Sequence, residues 1–305
     1  MLNLKKRNLS LLLLIICFIG IYAIIQNLYG VFSQAYFWDE LGVYSRSSIH
    51  QFQHGLSLLP SSTPDELSRG HPLLCPFYFA LFFKIFGCQP LIAHFAAALL
   101  NLLGVYFAFR ILSKYMQPIL ASIATLAIFI QPAFLSQSVL ILPEMPLMVC
   151  SLGAVWYYLN RQNIMAMVFV ILSLQIKESA LIIPVAFLCV ELLQIPKINW
   201  KNILLLVCIP IGSIVIFFLI QKFQRGYFFY PLHTSLASFD WYFINERWVG
   251  FKNFLFYEQG HLIQMTLLLA LISVFLVVKR KSLLNLVKSK FMLIPIFIIG
   301  GVFYS

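Results

Sequence analysis

Polar positions are so sparse along this chain that its hydrophobic pattern is one of long runs, with little alternation between faces. A helix that crosses a bilayer needs roughly 17–25 mostly apolar residues. Runs of about that kind, some shorter, fall at 9–31, 91–112, 118–135, 145–159, 164–176, 180–193, 202–221 and 262–278. The pattern predicts an all-α polytopic membrane protein with about 8–9 transmembrane helices in one domain, 1–305. The first run follows Lys5, Lys6 and Arg7 and precedes Ser33-Gln34-Ala35, as a cleaved signal peptide would. It exceeds the roughly 7–15 residues of a usual signal core, so it reads as an uncleaved anchor.

Two connections are long. The first, about 33–90, contains an apolar stretch at 73–87 that is marginal as a span and is placed as a helix lying at the interface. The second, about 222–261, holds 14 aromatic residues, an enrichment that suits segments at the headgroup level. The last apolar stretch, 291–305, makes only about 22 Å of helix. The hydrocarbon core is roughly 30 Å thick, so a bundle truncated at its C-terminus is expected.

Composition agrees with this pattern. The 305 residues are 61% hydrophobic and 10% charged, and the mean hydropathy is +0.91. A soluble domain carries roughly 25% charged residues to cover its surface. A soluble enzyme, a disordered tail and a disulfide-rich secreted scaffold are therefore excluded. The net charge of +11 is largely a topology signal. With the N-terminus in the cytoplasm, the short inner connections collect Lys5, Lys6, Arg7, Arg110, Lys114, Arg161, Lys197, Lys201, Lys279, Arg280, Lys281, Lys288 and Lys290. No basic run is interleaved with stacking aromatics as a nucleic-acid groove requires. Among the acids, Glu191 alone falls on the inner side, and all six histidines fall on the outer one. The working face is expected to be extracytoplasmic, in a plasma membrane such as the bacterial inner membrane.

Several residues have the chemistry for a reaction there. Asp39 and Glu40 follow Trp38 just beyond the first run, where like charges near aromatic rings favour protonating one of them; such a pair can supply a general base. The same Asp39 is placed to cap a helix that carries Leu41, Tyr44, Ser48, Ile49 and Phe52 at helical spacing. Arg69-Gly70-His71-Pro72 forms a turn whose cations, with Lys84, sit where a lipid phosphate would lie, or simply anchor an interfacial helix. Glu144, between Pro143 and Met145-Pro146, must face protein or water, because a carboxylate at a helix centre in lipid costs about 2.5–3.5 kcal/mol. Lys177-Glu178 is an internally neutralised pair or a solvated hairpin tip. Arg225, Arg247, His233, Asp240 and His261 are weak signals in the aromatic connection.

No HExxH-like spacing supports a divalent metal. No glycine-rich phosphate loop supports a directly bound nucleotide. The six cysteines form no CxxC pair, although Cys75 and Cys88 are able to meet in an oxidising compartment.

In order along the chain, Trp38-Asp39-Glu40, Gly70-His71-Pro72, Phe86-Gly87, Pro143-Glu144-Met145-Pro146 and Lys177-Glu178 resemble the motifs of the GT-C membrane glycosyltransferases. The likeness is to the branch of protein O-mannosyltransferases, lipid A aminoarabinose transferases and lipopolysaccharide sugar transferases, and it covers about 35–193. The resemblance implies a GT-C bundle and sugar transfer, with inversion, from a polyprenyl-phosphate sugar donor to a hydroxyl of a glycan, lipid or protein acceptor. Asp39 would be the base, with Glu40 in support. His71, Lys177 and Arg225 would hold the donor phosphate, and Glu144 and Glu178 would support substrate. Leu73 stands where the family has a second proline, and Glu144 where it has Asp. No cofactor is implied. Two other classes fit the sequence as well: a transporter or flippase of lipid-linked sugars, and an inactive truncated relative.

Overall fold

The computed structural model describes residues 2–193, 198–236 and 240–256. The expected span at 262–278, the basic stretch 279–290, the final stretch 291–305, Lys197 and His261 lie outside the described residues. The described residues are about 80% helical, with no strand among them.

Helix α1 (Leu2–Tyr29) buries a narrow stripe, Leu14, Phe18 and Tyr22, each four residues from the next. Around that stripe Leu9, Leu12, Leu13, Ile16, Ile19 and Ile24 are exposed. A bare aliphatic surface of this extent is unfavourable in water and natural in lipid. By length and composition three helices among the described residues are able to cross a membrane: Lys6–Tyr29, Pro90–Leu112 and Trp200–Arg225.

The first long connection folds into short elements. A widened π turn (Glu40–Tyr44) runs into α2 (Ser45–His54), followed by α3 (Asp65–Ser68) and α4 (Leu74–Phe86). Helix α5 (Pro90–Leu112) starts from an extended Gln89, with Pro90 in the position where its missing N–H is harmless.

The run at 118–135 does not form one helix. Helix α6 (Pro118–Phe129) stops, Gln131 is extended (φ −58°, ψ 139°), and Pro132 starts the short α7 (Pro132–Gln137). Proline disfavours helical geometry in the residue before it, and that produces the break. The run at 202–221 is longer than expected. Helix α11 (Trp200–Ile203) passes through a π turn (Leu204–Cys208) into α12 (Ile209–Arg225). Pro210 has no N–H to donate to the preceding turn, and the widened turn accommodates that loss. Residues 222–225 of the aromatic connection are thus helical. Beyond them lie α13 (Pro231–Leu236) and α14 (Trp241–Phe256).

Helix α8 (Glu144–Leu159) packs between α5 and α9 (Asn163–Ile176). Two glycines set the spacing, as small residues do between membrane helices. A Cβ on Gly104 would come within 2.7 Å of Met148 Cε. A Cβ on Gly153 would clash with Phe169 Cδ1, on a ring itself held by Tyr157 (centroids 5.2 Å apart) and Phe107 (5.5 Å). Gly153→Ala should therefore cost about 1–3 kcal/mol by overpacking, read as a lower melting temperature in detergent. Gly212→Ala, where nothing lies within 4 Å, should leave melting unchanged.

The helices alternate in direction, which gives the bundle two chemically distinct ends. At one end Lys114 Nζ donates to the Leu159 carbonyl (3.0 Å), and Asn163 donates to Asn202 (2.5 Å). There also Tyr158 (2.7 Å) and Asn202 (3.1 Å) donate to the buried Glu191 carboxylate of α10 (Ile182–Leu192). The starts of α5 and α8 and the ends of α9 and α12 lie at the other end.

Candidate functional site

The second end gathers residues from five separate stretches of chain. Lys177, just after α9, pairs with Glu144 at the start of α8 (3.1 Å). Glu178 accepts hydrogen bonds from His71 Nδ1 at 2.9 and 3.0 Å. Lys177 and Glu178 thus each make their closest contact with another segment, while the Lys177 charge still favours the ionised Glu178. Each reaches a different segment, and together they tie the 69–72 turn to the α8 and α9 ends.

That turn is left-handed. His71 N–H donates to the Ser68 carbonyl (3.0 Å), with Arg69 (φ 48°) and Gly70 (φ 72°) both at positive φ between them. Gly70 is required twice over, because a Cβ there would also lie 3.0 Å from Tyr230 Cβ. An arginine in this conformation is strained, and such strain gathers at functional sites.

Two spaces open beside His71. One is a narrow crevice of about 10 Å³, lined by Tyr44, Ser47, Ser68, His71, Pro143 and Lys177. The other is an open cleft of about 280 Å³ that places Arg69, His71 and Glu178 against the aromatic wall of Phe218, Phe229 and Tyr230. His71 separates them. Ser47 is buried, and its hydroxyl has no partner among the described residues. Burial, and after it the charges of Glu144, Cys75, Asp39 and Glu178, push the Tyr44 hydroxyl well above its ordinary value. Tyr44 is thus a neutral donor within electrostatic reach of three carboxylates. Sequence reading treated it only as a helix-face residue. The signal for its role is the π turn that ends on it, since such turns recur at functional sites.

The adjacent acids of the first connection have opposite environments. Asp39 is exposed and makes no hydrogen bond or ion pair among the described residues. It follows Trp38, whose backbone is held at φ 49°. Asp39 does not cap α2, and the reaching-back role belongs to Glu40. Its Oε2 accepts from Phe37 N–H (3.2 Å), and its Oε1 accepts from Ile141 N–H (2.9 Å) and His94 Nε2 (3.0 Å). Glu40 is 1% exposed, so it braces Asp39's segment from beneath.

Arg225 forms a cluster of its own. It pairs with Asp65 (3.1 Å) and donates to the carbonyls of Pro60 (3.0 Å) and Thr63. Tyr227 adds a 2.7 Å hydrogen bond to Asp65. These contacts fasten the 60–65 loop to the end of α12.

Burial alone would raise the Glu178 carboxyl. The His71 hydrogen bond and charge, the Glu178 backbone and Lys177 outweigh burial and hold it below its ordinary value of 4.5. The stabilisation from this group is therefore present above about pH 4.5 and is lost as pH falls through the lower, folded-state value. Glu178→Gln has nothing to protonate, and its melting temperature should fall less than that of the wild type on acidification from about pH 6 to about pH 3.

All six cysteines are free thiols, and no group of three or more His, Cys, Asp or Glu able to hold a metal occurs among the described residues. Comparisons with family models, curated proteins and solved structures find no match to this chain.

Proposed function

We propose that this membrane protein is a glycosyltransferase that moves a sugar from a polyprenyl-phosphate donor to an extracytoplasmic acceptor hydroxyl, with inversion. The observation that carries the reading is the meeting of His71, Glu144, Lys177 and Glu178 at the end of the bundle that also bears Asp39.

In this reading Asp39 takes the proton of the acceptor hydroxyl. The oxygen attacks the anomeric carbon, the bond from that carbon to the phosphate oxygen breaks, and polyprenyl phosphate departs. Arg69 and His71 face the phosphate from the cleft and Lys177 acts from the crevice behind His71, where cations aimed at developing charge supply the largest catalytic effect. The aromatic side of the cleft suits the first apolar units of the donor tail, which continues along the exposed Ile216, Leu219 and Phe223 of α12. Arg225 shapes the cleft through the 60–65 loop. A donor resident in the membrane suits an outer face that cytoplasmic nucleotide sugars do not reach.

The test supplies membranes containing the protein with a panel of polyprenyl-phosphate sugars and identifies the product by mass. A new glycosylated acceptor supports the reading. Movement of labelled lipid-linked sugar across vesicles with no covalent product assigns the chain to the transporters instead. His71→Ala removes one charge-assisted hydrogen bond of about 1.5–3 kcal/mol and should raise the donor KM about 10- to 100-fold. An unchanged KM takes His71 out of the phosphate site.

A further inference from the structure

The buried pair of His94 and Glu40 has a proton count that its geometry dictates. His94 lies in the first turns of α5, its side chain 2% exposed, and the Glu40 side chain is 0% exposed. One ring nitrogen of His94, Nε2, faces Glu40 Oε1 at 3.0 Å, and the other, Nδ1, faces the Phe32 carbonyl at 3.1 Å. Both neighbours are acceptors, and a neutral imidazole has only one N–H to give. Glu40 also receives N–H bonds from Phe37 and Ile141, the surroundings of a charged carboxylate. The pair then needs two hydrogens, one on Nδ1 and one between Nε2 and Oε1, and the two N–H groups that Glu40 already accepts favour the second lying on His94. The other titratable groups near the pair are Tyr36, whose ring meets His94 edge-on at 5.8 Å, and Cys88, which lies near Tyr36. Burial, Cys88 and Glu40 push the Tyr36 hydroxyl above its ordinary range, so it adds no charge.

We infer that His94 is a positioning residue for the Asp39 site: as a buried imidazolium it locks Glu40, and Glu40 holds the segment from Phe37 onward that presents Asp39. One clamp joins four segments: Phe32 before the first connection, Phe37–Glu40 within it, the start of α5, and Ile141 ahead of Glu144. It thereby fixes the acidic side of the site relative to the Lys177–Glu144 pair. With one hydrogen fewer, a nitrogen lone pair would face a carboxylate or a carbonyl, and the clamp would not hold Asp39 in place. This role rests on the proposed transfer reaction, but the protonation state does not.

The primary test needs no turnover. The full chain, labelled with ¹⁵N-histidine and held in detergent micelles, is examined by NMR at about pH 7, and His94 is assigned by its absence in His94→Gln. Two protonated ring nitrogens are expected. A single neutral tautomer overturns the inference. In turnover, His94→Gln keeps one donor toward Glu40 and should lower kcat about 10- to 100-fold with donor KM unchanged. Wild-type kcat in His94→Gln overturns the positioning role. Failure of every polyprenyl-phosphate sugar to react, with His94 doubly protonated, removes the proposed function and leaves the protonation state standing.

Discussion

On the proposed function, Asp39→Asn is expected to leave the protein folded and inserted and to lower sugar transfer by about 10²–10⁴-fold, the contribution of a positioned general base. The structure explains why folding is spared. The Asp39 carboxylate is exposed and without a hydrogen-bond partner among the described residues, so the amide breaks no native contact. The loss falls on kcat, because asparagine is nearly the same size and accepts no proton from the acceptor. Melting in detergent and initial rates with a saturating donor check the two halves separately. Wild-type turnover would take the base role from Asp39. Loss of the folded protein would give Asp39 a structural role that its exposure does not provide for.

Glu40→Ala, one residue further on, does the reverse. It removes the acceptor for Phe37 N–H, Ile141 N–H and His94, and leaves the buried imidazole beside two unsatisfied donors. Breaking a buried pair by deleting one partner costs about 3–5 kcal/mol. Total stability is usually about 5–15 kcal/mol, so the variant should accumulate poorly and melt many degrees lower. Glu40→Gln keeps an acceptor oxygen and should recover part of the loss. The contrast between neighbouring acids separates a chemical carboxylate from a bracing one. A Glu40→Ala protein as stable as the wild type would remove the clamp.

The helices at 91–112 and 164–176, and the short one within 73–87, are legible in the sequence because local hydrophobicity and flanking Pro or Gly set them. The break at Gln131-Pro132 is a local rule obscured by the hydrophobicity of its surroundings. The pairing is different in kind. Lys177 and Glu178 read as partners because they are adjacent, yet extended backbone at Lys177 (φ −155°) leads into a 3₁₀ turn, and they pair with separate segments. His94 and Glu40 are 54 residues apart, and only the docking of α5 against the first connection brings them together. A histidine four residues after Pro90 in an otherwise apolar helix was the available sign of a buried partner. The convergence of the acids and cations was legible only as a common side, since which of them touch depends on how α8 and α9 pack.

The account depends on the end of the bundle that carries Asp39 facing away from the cytoplasm. Single cysteines at Gln53, exposed beside that end, and at Gln117, exposed at the opposite one, are placed in a chain whose six cysteines are serine. Intact cells are then treated with a membrane-impermeant thiol reagent. Labelling at position 53 at once, and at 117 only after permeabilisation, is the predicted result. Labelling at 117 in intact cells with 53 protected would contradict it.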